Sequence, residues 1–250
     1  MRSYVESVGL VTGLIIACAL PFVVAGVWQT RARKWRWLSL AGILMLTQIA
    51  VTSIPPIDGF GRFHWSWQGA LLSIVWPLLL VGLVPSVSLA SIGVTSKFRP
   101  GWFTPSMSGL LIAVAVPSIF FALGSRLKLT TEGWIYLSTM PGLAEELVFR
   151  GAIQSVLNRA LPRSWHVAGA TCGWGLVIAA VLFAGANGLV AVDPQLHPRI
   201  ALQAGIAPLL MSLVSGWVRE RSDSIWPSVL GHNLSNLVIP GATALSMLVS

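Results

Sequence analysis

Leu143-Ala144-Glu145-Glu146-Leu147-Val148-Phe149-Arg150-Gly151 sits inside an otherwise apolar run from about residue 134 to residue 158. A run of that length, at 1.5 Å per residue, is long enough to cross a bilayer as a helix. Three ionisable groups within it need a protein interior or a water-filled cavity, because a lone charge near the bilayer centre costs several kcal/mol. Glu146 and Arg150 are four residues apart, so they share one helix face and can pair. Glu145 points about 100° away around the same helix and is free to face something else. One carboxylate held by an arginine beside one left unpaired makes the unpaired one the candidate general base.

The rest of the chain carries the same message. Of its 250 residues, 55% are hydrophobic and 10% are charged, against about 25% charged in ordinary soluble domains. Seven further apolar runs recur, near 8–28, 37–54, 69–95, 107–125, 168–190, 200–218 and 224–249. The reading is an all-α fold, a polytopic transmembrane bundle of about eight spans, with residues 1–250 forming one membrane domain. The run from Val8 to Trp28 is longer than a signal peptide's apolar region and is read as a retained first span.

The net charge of +8 follows from topology rather than from nucleic-acid binding, since the basic residues lie in short connections between apolar runs. Arg31, Arg33, Lys34, Arg36, Lys97, Arg99, Arg159, Arg163, Arg219 and Arg221 fall on one side. Arg2, Arg62, Arg126, Lys128 and Arg199 fall on the other. The bias puts the first group in the cytoplasm and both termini outside. The bilayer is thus one expected partner, and nucleic acid is excluded. Cys18 and Cys172, the two cysteines, lie in apolar runs and are read as packing residues. Eight of the twelve tryptophans fall near span ends, where amphipathic rings sit at the headgroup level. Six of the eight acidic residues, Glu132 and Glu220 among them, fall in connections or near span ends and are given no chemistry.

The last span contains Gly231-His232-Asn233-Leu234-Ser235-Asn236, in which His232 and Asn236 lie one turn apart on one face. They could supply a base or metal ligand and a donor for a developing oxyanion. On spacing alone, Glu145, Glu146, Arg150 and His232 fit catalysis, a buried structural network, or an ion or proton path.

The motifs resemble those of the CPBP family of intramembrane proteases, the CAAX prenyl protease and bacteriocin-processing (Abi) group. Glu145, Glu146 and Arg150 match its first motif, two Glu, three residues, then Arg. His232 and Asn236 match its last, and the likeness extends over about residues 140–237. The resemblance implies an endopeptidase acting on a membrane-proximal or C-terminal peptide tail, in the cell membrane of a prokaryote. It implies either a glutamate-activated water or a divalent metal such as zinc, with Glu145 and His232 as candidate ligands. In the family's middle motif, Phe, three residues, then His, this chain reads Phe183-Ala184-Gly185-Ala186-Asn187. Asn187 therefore replaces the family histidine, and an amide neither takes a proton at neutral pH nor substitutes well for imidazole at zinc. Three explanations stand: Glu145 suffices as base, with Asn187 orienting water or substrate; the protein is an impaired member acting as a membrane binding or immunity protein; or the chain is an altered variant. His197 is the one other histidine that could replace the missing ligand. A further difficulty is height: the span boundaries set His232 nearer the cytoplasmic edge than Glu145, and Asn187 farther from it.

Overall fold

The computed structural model describes residues 4–31, 34–57, 59–122, 128–192 and 197–249. Arg2, Arg33 and Arg126 lie outside the described residues. The fold is mostly helical, as expected of an all-α chain. Its helices are α1 (Tyr4–Thr30), α2 (Trp35–Thr52), α3 (Trp67–Leu83), α4 (Phe103–Ala122), α5 (Thr131–Glu146), α6 (Gln154–Ala160), α7 (Trp174–Ala184), α8 (Leu202–Ser222) and α9 (Trp226–Val249). α5 runs into α6 through a π-helical segment, Leu147–Ile153, and α7 ends in a second one, Gly185–Leu189. Two short antiparallel hairpins pair β1 (Trp165–Val167) with β2 (Ala170–Cys172) and β3 (Val190–Val192) with β4 (Pro198–Ile200).

Each expected span contains a helix, but three boundaries move. The run 69–95 stays helical only to Leu83. Pro85 follows, and a proline holds the residue before it extended; Val84 has φ −114° and ψ 98°. The apolar residues beyond do not continue the span. Val87 and Ile92 turn inward and are buried. The run 168–190 begins with the β1–β2 hairpin, whose two-residue turn places Ala168 and Gly169 at φ 45° and 80°; paired positive φ values suit the twist of a tight hairpin. The run 200–218 extends as helix to Ser222, where Asp223 stops it at φ 61°. Arg219, Glu220 and Arg221 are therefore helical and not a connection. Trp37, expected near the membrane surface, is buried beneath the guanidinium groups of Arg36 and Arg159.

By length and hydropathy, one described helix is sufficient by itself to cross a membrane, Glu6–Thr30, with a mean hydropathy of 2.5. Trp67–Leu80, Phe103–Ile112 and Trp174–Leu189 are shorter apolar helices. The outward faces of the bundle are apolar, with Leu20, Leu79, Leu83, Leu111, Leu202 and Leu230 all exposed. Such a surface is expected where lipid is the solvent.

The π segment Leu147–Ile153 is buried throughout and sits at the centre of the packing. α5 packs on α9 and α3, α6 on α7 and α2, and α1 on α7. Segment 84–102 clasps the α8–α9 turn. Gly93 O accepts from Ile225 N, Thr95 O from Ser224 Oγ, Ser222 O from Arg99 N, and Ser91 O from Arg219 Nη2. This clasp joins the end that carries Arg99, Arg163 and Arg221. At the other end, Glu132 at the start of α5 bonds the backbone of His64 and Trp65, the His64 ring and the Trp67 indole.

Candidate active site

Pro141 interrupts α5 just before the paired glutamates. A proline inside a helix removes one donor and crowds the carbonyl four residues back. Asn233 of α9 inserts its amide there: Oδ1 accepts from Gly142 N at 2.8 Å and Nδ2 donates to Thr139 O at 3.3 Å. This graft fixes α9 against α5 one turn from Glu146. His232, the next residue, then places Nδ1 2.9 Å from Glu146 Oε1. Arg150 Nε lies 3.1 Å from Glu146 Oε2. Glu146 and Arg150 are almost completely buried and His232 nearly so. Glu146 is thus held from both sides, which compensates the burial of its charge.

Glu145 differs. Its side chain keeps 26% of its exposure, and its Oε2 lies 4.0 Å from His232 Nε2. It forms one wall of a cavity of about 240 Å³ lined also by Gln48, Thr52, Ser66, Ser73 and Tyr136. Asn187 donates Nδ2 to Phe183 O at 3.1 Å, and its side chain stands near the Glu145 carboxylate. Its backbone (φ −116°, ψ 22°) and that of Gly188 (φ 145°) break the second π segment. The helices of the first and middle motifs therefore pass into π geometry at the site, a form that recurs where function overrides regular packing.

Phe183 explains the aromatic position of the middle motif. Its ring lies under Arg150 Cζ at 4.5 Å and meets the rings of His232 and Phe149 edge-on at 5.9 and 5.2 Å. It packs against the arginine of the ion pair.

The structure thus brings together Glu145, Glu146, Arg150, Asn187 and His232. Asn236 stands one turn beyond His232, partly buried, and makes no hydrogen bond to these groups. The expected height mismatch is absent, since the His232 ring lies 2.9 Å from Glu146 Oε1 and 4.0 Å from Glu145 Oε2. His197 lies just before β4, outside this cluster of contacts.

Three contributing residues were not singled out from the sequence. Asn233 stood beside the more conspicuous Asn236. Gln154 reads as an ordinary polar residue. Glu220, placed in a connection and given no chemistry, is buried and accepts from Gln154 Nε2 at 2.7 Å, Asn158 Nδ2 at 2.6 Å and Arg163. The flanking Arg219 and Arg221 disguise it as part of a solvated charge run.

Glu132 was also given no chemistry. Partial burial pushes the Glu132 carboxyl up. Hydrogen bonds from His64, Trp67 and the backbone outweigh that and hold it below the usual carboxylate range.

For a metal, the donors nearest each other are Glu145 Oε2 and His232 Nε2. A catalytic zinc takes three protein ligands from His, Cys and carboxylates. Among the described residues no three such side chains form a ligand set, and the family's third position holds the amide of Asn187. The residues present do not complete a zinc site.

The paired glutamates, the arginine and the histidine thus meet at one buried point of a helical chain. Residues 127–238 match the family described as Type II CAAX prenyl endopeptidase Rce1-like. The match covers both motifs and so supports the resemblance that they carry. No curated protein and no solved structure is found to match. The matched segment contains every candidate residue. Gln48, Thr52, Ser66 and Ser73, which face Glu145 across the cavity, lie outside it.

Proposed function

We propose that the chain is an intramembrane endopeptidase that cleaves a membrane-proximal or C-terminal peptide segment, with Glu145 activating water. The observation that carries this reading is the unequal treatment of the glutamates. Glu146 is sealed and doubly paired, while Glu145 faces a polar cavity beside His232 Nε2.

Glu146 accepts from His232 Nδ1, so the neutral ring presents Nε2 as an acceptor. A water between Glu145 Oε2 and His232 Nε2 gives each a hydrogen and points a lone pair into the cavity. As its oxygen attacks the peptide carbonyl carbon, Glu145 takes one proton and the carbonyl electrons move onto oxygen. The Asn187 amide donates toward that oxyanion, the type of stabilisation that carries much of acyl-transfer catalysis. Collapse restores the carbonyl and breaks the C–N bond, and Glu145 returns its proton to the departing amine. Asn236, on the same face as His232, is left to position substrate. No step requires a metal, and the incomplete ligand set favours this route.

The substrate is proposed to be a protein or peptide with a membrane-proximal tail, for which the family name suggests a CAAX-type terminus. The cavity beside Glu145 shares Thr52, Ser66 and Gly69 with a second cavity of about 310 Å³ bounded by Phe60, Phe63, Trp65 and Trp67. A peptide would approach through this aromatic mouth, at the end opposite the basic connections. The eight-span topology and a single domain over residues 1–250 are part of the same proposal, as is the cell membrane of a prokaryote as its location.

Asn187 favours one rival reading, an impaired member that acts as a membrane binding or immunity protein. Purified protein incubated with membrane-tethered peptides and read by mass spectrometry separates the two. The peptidase reading expects cleavage by the wild type and a changed rate in Asn187→His. Cleavage by Asn187→His alone would favour the rival.

A further inference from the structure

A third cavity, polar in its lining, lies at the far end of the α5–α6 helix, away from Glu145. It measures about 300 Å³ and is bounded by α6, α8 and segment 84–102, with Ser91, Ser155, Asn158, Arg159, Arg163 and Arg219 in its wall. Two carboxylates, Glu220 and Asp223, also line it. Both are already engaged. Glu220 accepts from Gln154, Asn158 and Arg163, and Asp223 receives Arg99 Nε and Nη2 at 3.0 Å each.

Among the described residues two guanidinium groups in this wall form no salt bridge, although Glu220 and Asp223 lie near enough to Arg219 to act on its charge. Arg219 is only 8% exposed. Its Nη2 donates to Ser91 O at 3.2 Å, and its Nε is buried with no acceptor. Arg159 rests on the Trp37 ring at 5.0 Å. A buried arginine without an anion is unfavourable, because the charge loses its hydration and gains nothing equivalent. A planar donor fork fits the oxygens of a phosphate or carboxylate better than any neutral group.

Position decides between those two. The cavity is at the end with Arg36, Lys97, Arg99, Arg163 and Arg221, and Trp37 lies beside it; such residues mark a cytoplasmic membrane boundary. Arg159 follows Glu145 by 14 residues on one continuous helical path, or about 20 Å. Three residues of extended peptide span only about 10 Å, so the carboxylate of a short tail bound at Glu145 does not reach it. Lipid phosphates lie at this level.

We propose that this cavity binds the phosphate group of an anionic ligand, with Arg159 and Arg219 as its principal donors and a phospholipid headgroup as its source. The site is separate from the peptidase site and independent of the reaction assigned there.

The test is thermal unfolding of the full chain in neutral detergent, titrated with dihexanoyl-phosphatidylglycerol and, separately, with inorganic phosphate. The lipid is expected to raise the Tm saturably. Arg159→Gln and Arg219→Gln are each expected to weaken its apparent affinity about tenfold or more, the loss of one charge-assisted contact. Arg199→Gln, exposed on β4 at the other end, is expected to leave it unchanged. Arg219 is buried and its variant could misfold, but Arg159 is partly exposed and keeps the test decisive. Saturation by phosphate alone, still dependent on Arg159, would support the site and assign its ligand to free phosphate. No saturable shift with either probe, or the same shift in Arg159→Gln as in the wild type, would overturn the proposal.

Discussion

Gly142→Ala tests whether the α5–α9 contact sets the geometry of the site. A Cβ at Gly142 would lie 2.3 Å from Asn233 Oδ1, 2.7 Å from Asn233 Cγ and 2.7 Å from Val229 O. The Asn233 side chain can rotate away, at the loss of its bond from Gly142 N. Val229 O is backbone and cannot. Restoring ordinary contact requires the helices to part by about 0.5 Å or more. Overpacking of this kind costs about 1–3 kcal/mol. The same displacement stretches the 2.9 Å contact between His232 and Glu146, one helical turn away. A misplacement of roughly 1 Å costs on the order of 100-fold in rate, so a shift of half that is expected to lower kcat about tenfold, with KM little changed. Unfolding in detergent and peptide cleavage would be measured in parallel with Gly42→Ala, where an added Cβ meets nothing within 4 Å. The control is expected to match or exceed wild-type stability, since alanine suits a helix better than glycine by about 1 kcal/mol. Wild-type Tm and kcat in Gly142→Ala would refute the reasoning.

Two further expectations concern residues outside the proposed chemistry. Glu220→Ala leaves Gln154, Asn158 and Arg163 without their shared acceptor. Arg163 is 39% exposed, so the loss is mainly that of the buried acceptor, about 1–3 kcal/mol; a clear fall in Tm is expected, smaller for Glu220→Gln, and an unchanged Tm would show that the network is not structural. Glu132 has a lowered folded pKa, so its contribution is present above the ordinary carboxylate range and fades as pH falls through the folded value. The Tm difference between wild type and Glu132→Gln should therefore be present at neutral pH and vanish in strong acid; a difference independent of pH would contradict the assignment.

The helices were legible because a chain with so few charges leaves each apolar run visible between breakers. The ends were less so. Segment 84–94 is as apolar as the span before it, and only Pro85 marks the change; its apolar side chains are spent on clasping α8–α9, which no local pattern reveals. The hairpins at 165–172 and 190–200 fall below the length at which periodicity identifies a strand. At the site, the four-residue spacing of Glu146 and Arg150 fixed their pairing in advance, and the same rule left Glu145 apart. That rule also grouped Asn236 with His232. It could not foresee that Asn233, about 100° around α9, would face the proline break in α5, because a helix's own sequence does not say which neighbour it meets. Glu220 shows the opposite failure: a buried acceptor between two arginines reads as part of a connection until its partners on α6 are seen.

The central claim is that Glu145, not its buried neighbour, activates water. Glu145→Gln keeps the shape of the side chain and its place in the cavity while removing the proton acceptor. The measurement is single-turnover cleavage of a membrane-tethered peptide by wild type and Glu145→Gln, with unfolding temperatures compared to confirm that both are folded. The account expects the rate to fall by about 100-fold or more, as for loss of a general base, with the Tm preserved. Cleavage at the wild-type rate by a folded Glu145→Gln protein would contradict it.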